Sequence, residues 1–151
     1  MTSGAGDGQT LSLTLRGSPA EEVSRAQAAV SEFLGRHGEG PAAISRAELL
    51  LEEVALNVLR HGFDAPDTPE VSIRLAREPA GWAFDFEDRG RAFDPTTAPL
   101  PPPAPSLAEA KVGGFGLPLI RRIAQSLRYE RTEDGRNLFR LVLPPSDPLR
   151  S

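Results

Sequence analysis

The fold expected for this chain is decided by residues 53–61 (EVALNVLRH), 88–95 (DRGRAFDP) and 113–117 (GGFGL). The first stretch combines a carboxylate and an amide one helical turn apart. The second places a carboxylate at the end of a predicted strand, just before a glycine. The third is a glycine-rich turn that opens a helix. Each stretch alone is a common pattern, so their combination and order favour a specific fold.

The segments around these stretches alternate between strand and helix patterns. Period-two alternation predicts strands, and apolar residues at three-four spacing predict helices. The strands are expected at residues 10–16, 71–77, 82–87, 127–131 and 137–143, and the helices at about 19–37, 42–61 and 117–126. Strands that arrive in hairpins, with helices between them, predict an α+β fold. The expected architecture is a two-layer sandwich, in which helices cover one face of a mostly antiparallel mixed sheet.

The composition limits which classes of protein the chain can belong to. The 151 residues are most consistent with one domain at 9–145, between a disordered tail at 1–8 and a C-terminal tail at 146–151. A net charge of −4 argues against direct nucleic-acid binding, which requires a basic face. The sequence contains no cysteine, which excludes disulfides and thiolate metal sites. No export signal and no membrane-spanning run are visible, so a cytoplasmic protein is expected.

The helix motif offers two groups for phosphate chemistry. Glu53, Asn57 and His61 share one face of the predicted helix, because four-residue steps return to the same side. The amide oxygen of Asn57 suits Mg²⁺, which shares its ligands with substrate phosphates. Glu53 is then placed to accept a proton from an attacking hydroxyl. A solvated polar face is the usual alternative, and His61 is better explained as a structural residue at the helix end.

Three leucines flank this polar stripe outside the main apolar face, namely Leu49, Leu50 and Leu56. A polar stripe between leucines is more typical of a cleft wall than of a surface in bulk water. The flanking residues therefore favour a site on this face of the helix.

The second stretch suits recognition of a nucleobase. A carboxylate at Asp88 can accept a hydrogen bond from the exocyclic amine of adenine, and Gly90 allows the backbone to approach a flat base. An Asp-x-Gly turn with no ligand is the common alternative. Phe93 and the proline-rich segment that follows it favour the binding interpretation.

The third stretch, residues 113–117, is suited to hold phosphate oxygens, because the first N–H groups of a helix have no intrahelical partner. It is not a Walker A loop, since no Lys-Ser/Thr pair follows Gly116, and Leu119 stands where a dinucleotide fingerprint has glycine. Lys111 is a candidate phosphate contact, and a solvated lysine is the equally plausible alternative.

In this order the three stretches resemble the N, G1 and G2 boxes of the GHKL superfamily, which includes gyrase, Hsp90, histidine kinases and MutL. The resemblance covers residues 10–143 and is strongest to bacterial anti-sigma-factor serine kinases. It implies the Bergerat fold, with an ATP lid at residues 96–112. Two departures from the family pattern are visible. Ala92 replaces a frequent second G1 glycine, and residues 137–140 (NLFR) lack the threonine that often lies near adenine.

The resemblance also implies a site and its partners. ATP and Mg²⁺ are the expected cofactors, with Glu53 as the catalytic base and Asn57 as the metal ligand. The expected nucleotide-binding residues are Asn57, Asp88, Gly90, Phe93, Lys111, Gly113, Gly114, Phe115, Gly116 and Leu117.

The implied function is that of a serine/threonine protein kinase that phosphorylates an antagonist protein and sequesters a sigma factor or similar target. A homodimer is expected by analogy. The alternatives are a nucleotide-sensing module that binds its partner without phosphotransfer, and an unrelated α+β protein. Retention of Glu53 favours the kinase, because a module that only binds needs no base there.

Overall fold

The computed structural model describes residues 9–93 and 116–144 of the chain. The helices and strands of these residues are β1 (Thr10–Arg16), α1 (Pro19–Arg36), α2 (Pro41–His61), β2 (Glu70–Glu78), β3 (Gly81–Asp88), α3 (Gly116–Ile123), β4 (Ser126–Arg131) and β5 (Asn137–Leu143). The five predicted strands are confirmed to within one residue of their bounds. The tails predicted at 1–8 and 146–151 and the lid predicted at 96–112 lie outside the described residues.

The described strands form one sheet in the order β1-β2-β3-β5-β4, and each of its four pairings is antiparallel. The predicted α+β class and layered architecture are confirmed. Directly paired residues share a face of the sheet. One row across the helix-covered face consists of Leu13, Ile73, Phe86, Phe139 and Tyr129.

The helices bury that face through α2, which packs against α1, α3 and β2. Fully buried side chains from helix and sheet, among them Leu34, Leu51 and Phe84, form one continuous core. Proline occupies the first turn of both α1 and α2. An N–H group at that position makes no hydrogen bond within the helix, so its absence in proline costs no bond. The core therefore fixes the position of α2 relative to the centre of the sheet.

The third helix is shorter than predicted. Residues 117–126 were expected to be helical, but α3 ends at Ile123 and Ser126 already belongs to β4. The Ala124 amide makes the last helical bond, to Ile120, and the Gln125 amide donates to Val142 of β5 at 2.7 Å. The chain leaves the helix there because pairing with β5 supplies its next backbone hydrogen bonds.

The opposite face of the sheet carries paired charges. Arg140 donates to Asp85 at 2.7 Å and to Glu78 at 3.1 Å. The hydrogen bond to Asp85 is the main cause that raises the pKa of Arg140. This face therefore differs in character from the apolar face that the helices cover.

Side chains of α1 bond the backbone of the edge strand β1. The Arg16 amide donates to Glu22 Oε1 at 3.1 Å, and Arg25 Nη2 donates to the Thr14 carbonyl at 2.8 Å. The same two side chains bond each other at 3.0 Å. Two polar groups of the edge strand thereby find partners within the chain.

Candidate nucleotide-binding site

Helix α2 places Glu53 and Asn57 on one face, next to the buried apolar face of the same helix. Glu53 is half-buried, whereas Asn57 is exposed. Successive four-residue steps keep the two side chains one turn apart along the helix, about 6 Å. His61, the third member of the predicted stripe, is exposed at the last residue of α2. The carboxylate and the amide of the motif are therefore arranged as the sequence predicted.

The surroundings of Glu53 make its side chain a weaker acid than an ordinary glutamate. The pKa of its carboxyl is raised, first because burial disfavours the charged form and second because the neighbouring carboxylate of Glu52 repels it. Glu52 itself is turned toward α1, where Gln27 donates to it at 3.2 Å. A carboxylate with a raised pKa is a stronger proton acceptor than an ordinary one once it is ionised.

The leucines beside the polar stripe differ from the prediction. Leu50, expected to flank the polar stripe, is completely buried in the core because α2 packs against β2, α1 and α3. Leu49 and Leu56 are only partly buried. The case for a site on this face therefore depends on Glu53 and Asn57 themselves.

The end of β3 supplies the second carboxylate. Asp88 pairs with Asn137 of β5 and, through it, aligns with Arg131 of β4, which places the three on the helix-covered face. Asp88 Oδ1 accepts the Gly90 amide at 2.8 Å and Asn137 Nδ2 at 2.9 Å. Among the described residues both donors reach Oδ1, which leaves Oδ2 available to a ligand.

A close backbone contact joins the end of α2 to the turn after β3. A Cβ at Gly90 would lie 2.4 Å from the carbonyl oxygen of Gly62, closer than real Cβ atoms come. The Arg91 amide donates to the same oxygen at 2.8 Å. Gly62 follows Asn57 by five residues, about 7.5 Å along the helix axis. The glycine at position 90 is thus required by the packing of the protein backbone, in addition to its predicted role beside a base.

Sequence reasoning missed Asn137, which was considered only as part of a strand without threonine. Its side chain is 5% exposed. Among the residues that the structure describes, Asn137 is the one buried residue with a polar or charged side chain. Nδ2 donates to Asp88 and to the Arg91 carbonyl, each at 2.9 Å. Oδ1 accepts from Tyr129 at 2.5 Å and from Arg131 at 3.1 Å. An asparagine opening a predicted core strand was the available signal, because buried polar groups need partners.

The remaining predicted residues are only partly accounted for. Gly116 and Leu117 lie in the first turn of α3, which packs against α2. Phe93 is 46% exposed. Lys111, Gly113, Gly114 and Phe115 lie outside the described residues. Their predicted roles in binding stay predictions.

A small cleft borders Asp88. It measures about 210 Å³ and is lined by Phe63, Thr68, Glu70, Ser72, Glu87, Asp88 and Arg89. Its lining does not include Glu53 or Asn57. The cleft therefore does not by itself connect the carboxylate of Asp88 with the helix motif.

Two negative findings apply to residues 9–93 and 116–144. No group of three or more histidine, cysteine, aspartate or glutamate side chains is arranged to hold a metal ion. A magnesium ion at Asn57 would therefore need phosphate and water ligands, as that ion ordinarily accepts. In the same residues, no helix is both long and apolar enough to cross a membrane.

Comparison with known proteins identifies the family of the chain. Residues 17–143 match the family model of the histidine kinase-like ATPase domain. The chain belongs to this family, and the resemblance to the GHKL superfamily is confirmed. It is also similar to the serine/threonine-protein kinase BtrW of Bordetella bronchiseptica, with 35% identity over 94 residues. The aligned part covers 62% of this chain and 66% of that kinase, slightly less than two thirds of its length.

Proposed function

We propose that this protein is an ATP-dependent serine/threonine protein kinase. Membership of an ATPase domain family supports nucleotide binding, and the similarity to BtrW supports transfer to a protein hydroxyl. The observation on which the proposal rests is the half-buried carboxylate of Glu53, whose pKa is raised, one helical turn from Asn57. A carboxylate in that position has a use in phosphotransfer that a purely binding module lacks.

Adenine recognition is assigned to Asp88. Two donors bond Oδ1, and the other oxygen of the carboxylate is proposed to accept a hydrogen bond from the exocyclic amine of adenine. Guanine presents a carbonyl oxygen at the equivalent position, which a carboxylate repels. Gly90 keeps the turn free of a side chain beside the base. Phe93 is proposed as a further contact to the nucleotide.

Asn57 is assigned to the metal. Mg²⁺ prefers hard oxygen ligands and keeps several waters, so one amide oxygen together with phosphate oxygens forms a suitable set. The exposure of Asn57 leaves its side chain accessible to such a complex. Gly116 and Leu117, in the first turn of α3, would offer backbone N–H groups to phosphate. Lys111, Gly113, Gly114 and Phe115 are proposed to complete that contact.

When bound, Mg-ATP supplies the γ-phosphoryl group that is transferred. Glu53 accepts the proton of a serine or threonine hydroxyl while the oxygen of that hydroxyl forms a bond to the γ-phosphorus. The bond from phosphorus to the β–γ bridging oxygen breaks, and ADP leaves with that electron pair. The protonated Glu53 then returns its proton to solvent. Its raised pKa fits this role, because the base must hold the proton during transfer.

The partners follow from the resemblance to anti-sigma-factor kinases. We propose that the substrate is a small antagonist protein and that a sigma factor or similar target is sequestered by the same domain. Such a kinase would act through proteins and need no direct contact with nucleic acid. A homodimer and a cytoplasmic location belong to the same proposal.

The experiment is phosphotransfer from radiolabelled ATP to a purified candidate antagonist, comparing the parent with Glu53→Gln. Glutamine keeps the size of the side chain but cannot accept the hydroxyl proton. Activity should fall by about 10²–10⁴-fold while ATP remains bound. Glu32→Gln, an exposed position of α1, is the control and should stay near parental activity.

The outcomes separate the two candidate functions. Parental activity in Glu53→Gln would remove Glu53 as the base. If the parent binds ATP and the antagonist but transfers no phosphate, the protein is instead a nucleotide-sensing module that regulates its partner by association.

A further inference from the structure

The buried side chain of Asn137 has only one orientation that satisfies its neighbours. Its amide nitrogen lies 2.9 Å from both Asp88 Oδ1 and the Arg91 carbonyl oxygen, which are acceptors. Its amide oxygen faces the hydroxyl of Tyr129 and the guanidinium of Arg131, which are donors. A flipped amide would place oxygen against oxygen on one side and N–H against N–H on the other.

This amide links three parts of the site. Through Asp88 it holds the carboxylate at the end of β3, and through the Arg91 carbonyl it holds the turn that follows. Arg131 reinforces the turn by donating to the Gly90 carbonyl at 2.8 Å. The Arg91 amide continues the chain of contacts to Gly62 at the end of α2. Networks of this kind are rigid only when every buried member is satisfied.

We infer that Asn137 is a positioning residue for nucleobase selection, acting through the Asp88 carboxylate. The inference rests on the proposed function, in which Asp88 Oδ2 accepts the amine of adenine. Asn137 and the Gly90 amide occupy Oδ1, so rotation of the carboxylate would break two hydrogen bonds. The fixed carboxylate accepts from adenine and repels the carbonyl oxygen of guanine. Without Asn137 the carboxylate can turn away, and that discrimination weakens.

The variant Asn137→Ala tests this with two measurements. In the protein without nucleotide, hydrogen exchange of the Gly90 and Arg91 amides should accelerate, because both lie in the turn that Asn137 holds. In titrations with ATP and with GTP, the ratio of the two affinities should fall by about tenfold, which corresponds to the loss of one buried hydrogen-bond partner. A role in stability alone would not change that ratio.

Two further variants keep the test decisive. Tyr129→Phe removes one donor to Asn137 Oδ1 and should lower the same ratio by a smaller factor; it decides the question if Asn137→Ala does not fold. Val142→Ala, on the same strand but 7% exposed on the other face, is a destabilised control that should leave the ratio unchanged.

Each outcome has one meaning. An unchanged ratio in folded Asn137→Ala overturns the inference, whether or not exchange accelerates. An equal fall of the ratio in Val142→Ala also overturns it, because general destabilisation would then be the cause. If the parent binds neither nucleotide, the proposed function fails. The exchange measurement still decides whether Asn137 positions the turn that follows Asp88.

Discussion

The backbone at Gly90 lies so close to Gly62 that a Cβ added at Gly90 would be 2.4 Å from the Gly62 carbonyl oxygen. This contact connects the strand that ends at Asp88 with the helix that contains Asn57. The group proposed to recognise the base and the group proposed to hold the metal are therefore parts of one packed unit. Their separation depends on a backbone contact as well as on side chains.

Gly90→Ala should break this unit. The added methyl group cannot fit against backbone, so the turn must move and the hydrogen bond from the Arg91 amide to Gly62 is lost. We expect a loss of more than about 1 kcal/mol of unfolding free energy, and weaker ATP binding. Denaturant unfolding and calorimetry measure these effects. Gly35→Ala in α1, where an added Cβ would meet nothing within 4 Å beyond its chain neighbours and the adjacent backbone of its own helix, should instead stabilise by about 0.5–1 kcal/mol. A Gly90→Ala protein as stable as the parent would contradict the contact.

Asp88→Asn should weaken the binding of adenine nucleotides by about 1–3 kcal/mol, the cost of a mismatched polar partner in a buried site. The side chain of asparagine has an oxygen that accepts hydrogen bonds and a nitrogen that only donates them. It therefore cannot accept from both Asn137 and the base, and one of these two contacts is impaired. Isothermal calorimetry with ATP provides the measurement. Asp67→Asn, at an exposed turn residue, is the control. Equal affinity of folded Asp88→Asn and parent would remove Asp88 from the pocket.

Asn57→Ala should remove the dependence of ATP binding on magnesium. The variant loses a neutral oxygen that the proposed site offers to the ion, while the adenine contact at Asp88 remains. ATP titrations with and without Mg²⁺ measure the difference. Ser45→Ala, exposed on the same helix, should keep the parental dependence. If magnesium strengthens binding equally in Asn57→Ala and the parent, another group holds the ion.

The raised pKa of Glu53 predicts how stability depends on pH. A carboxyl whose folded pKa exceeds its unfolded value binds its proton more tightly in the folded state. Its contribution is therefore present below the unfolded pKa and is lost as pH rises through the folded pKa. Glu53→Gln should gain stability relative to the parent between pH 4 and pH 7, by no more than about 1 kcal/mol because solvent screens this half-exposed group. Thermal unfolding at both pH values measures it, and a difference that does not change with pH would contradict the shift.

Gly81→Ala should destabilise the hairpin between β2 and β3. Gly81 has a φ of +141°, and a Cβ there would lie 2.0 Å from the carbonyl oxygen of Leu143. We expect a loss well above about 1 kcal/mol in denaturant unfolding, since both backbone conformation and space oppose the side chain. Gly135→Asn is the contrasting variant, because its φ of +87° is one that asparagine tolerates and its Cβ meets only a side-chain atom at 3.8 Å. Similar losses in the two variants would contradict this explanation.

Local patterns were sufficient to predict most of the fold. The alternation at residues 10–16 and the proline at the start of α1 depend on neighbours in the sequence, and both elements formed as expected. The end of α3 was not predictable in this way. It depends on the hydrogen bond from Gln125 to Val142 of β5, a residue that lies 17 positions further along the chain.

In the candidate site, too, some features follow from the local sequence and others depend on distant parts of the chain. The spacing of Glu53 and Asn57 follows from helical periodicity, and the position of Asp88 follows from the end of a strand pattern. The role of Asn137 follows from the register between β3 and β5, which places it directly opposite Asp88. Local sequence does not specify that register. The burial of Leu50 likewise depends on how α2 packs against other elements.

The hydrogen bonds that Glu22 accepts from β1 and that Arg25 donates to it affect how the protein behaves at high concentration. An incoming strand from another molecule would need the Arg16 amide and the Thr14 carbonyl in order to extend the sheet. Both groups already have partners within their own chain, and a charged pair stands in the path of approach. Growth of cross-β aggregates from this side of the sheet is thereby disfavoured.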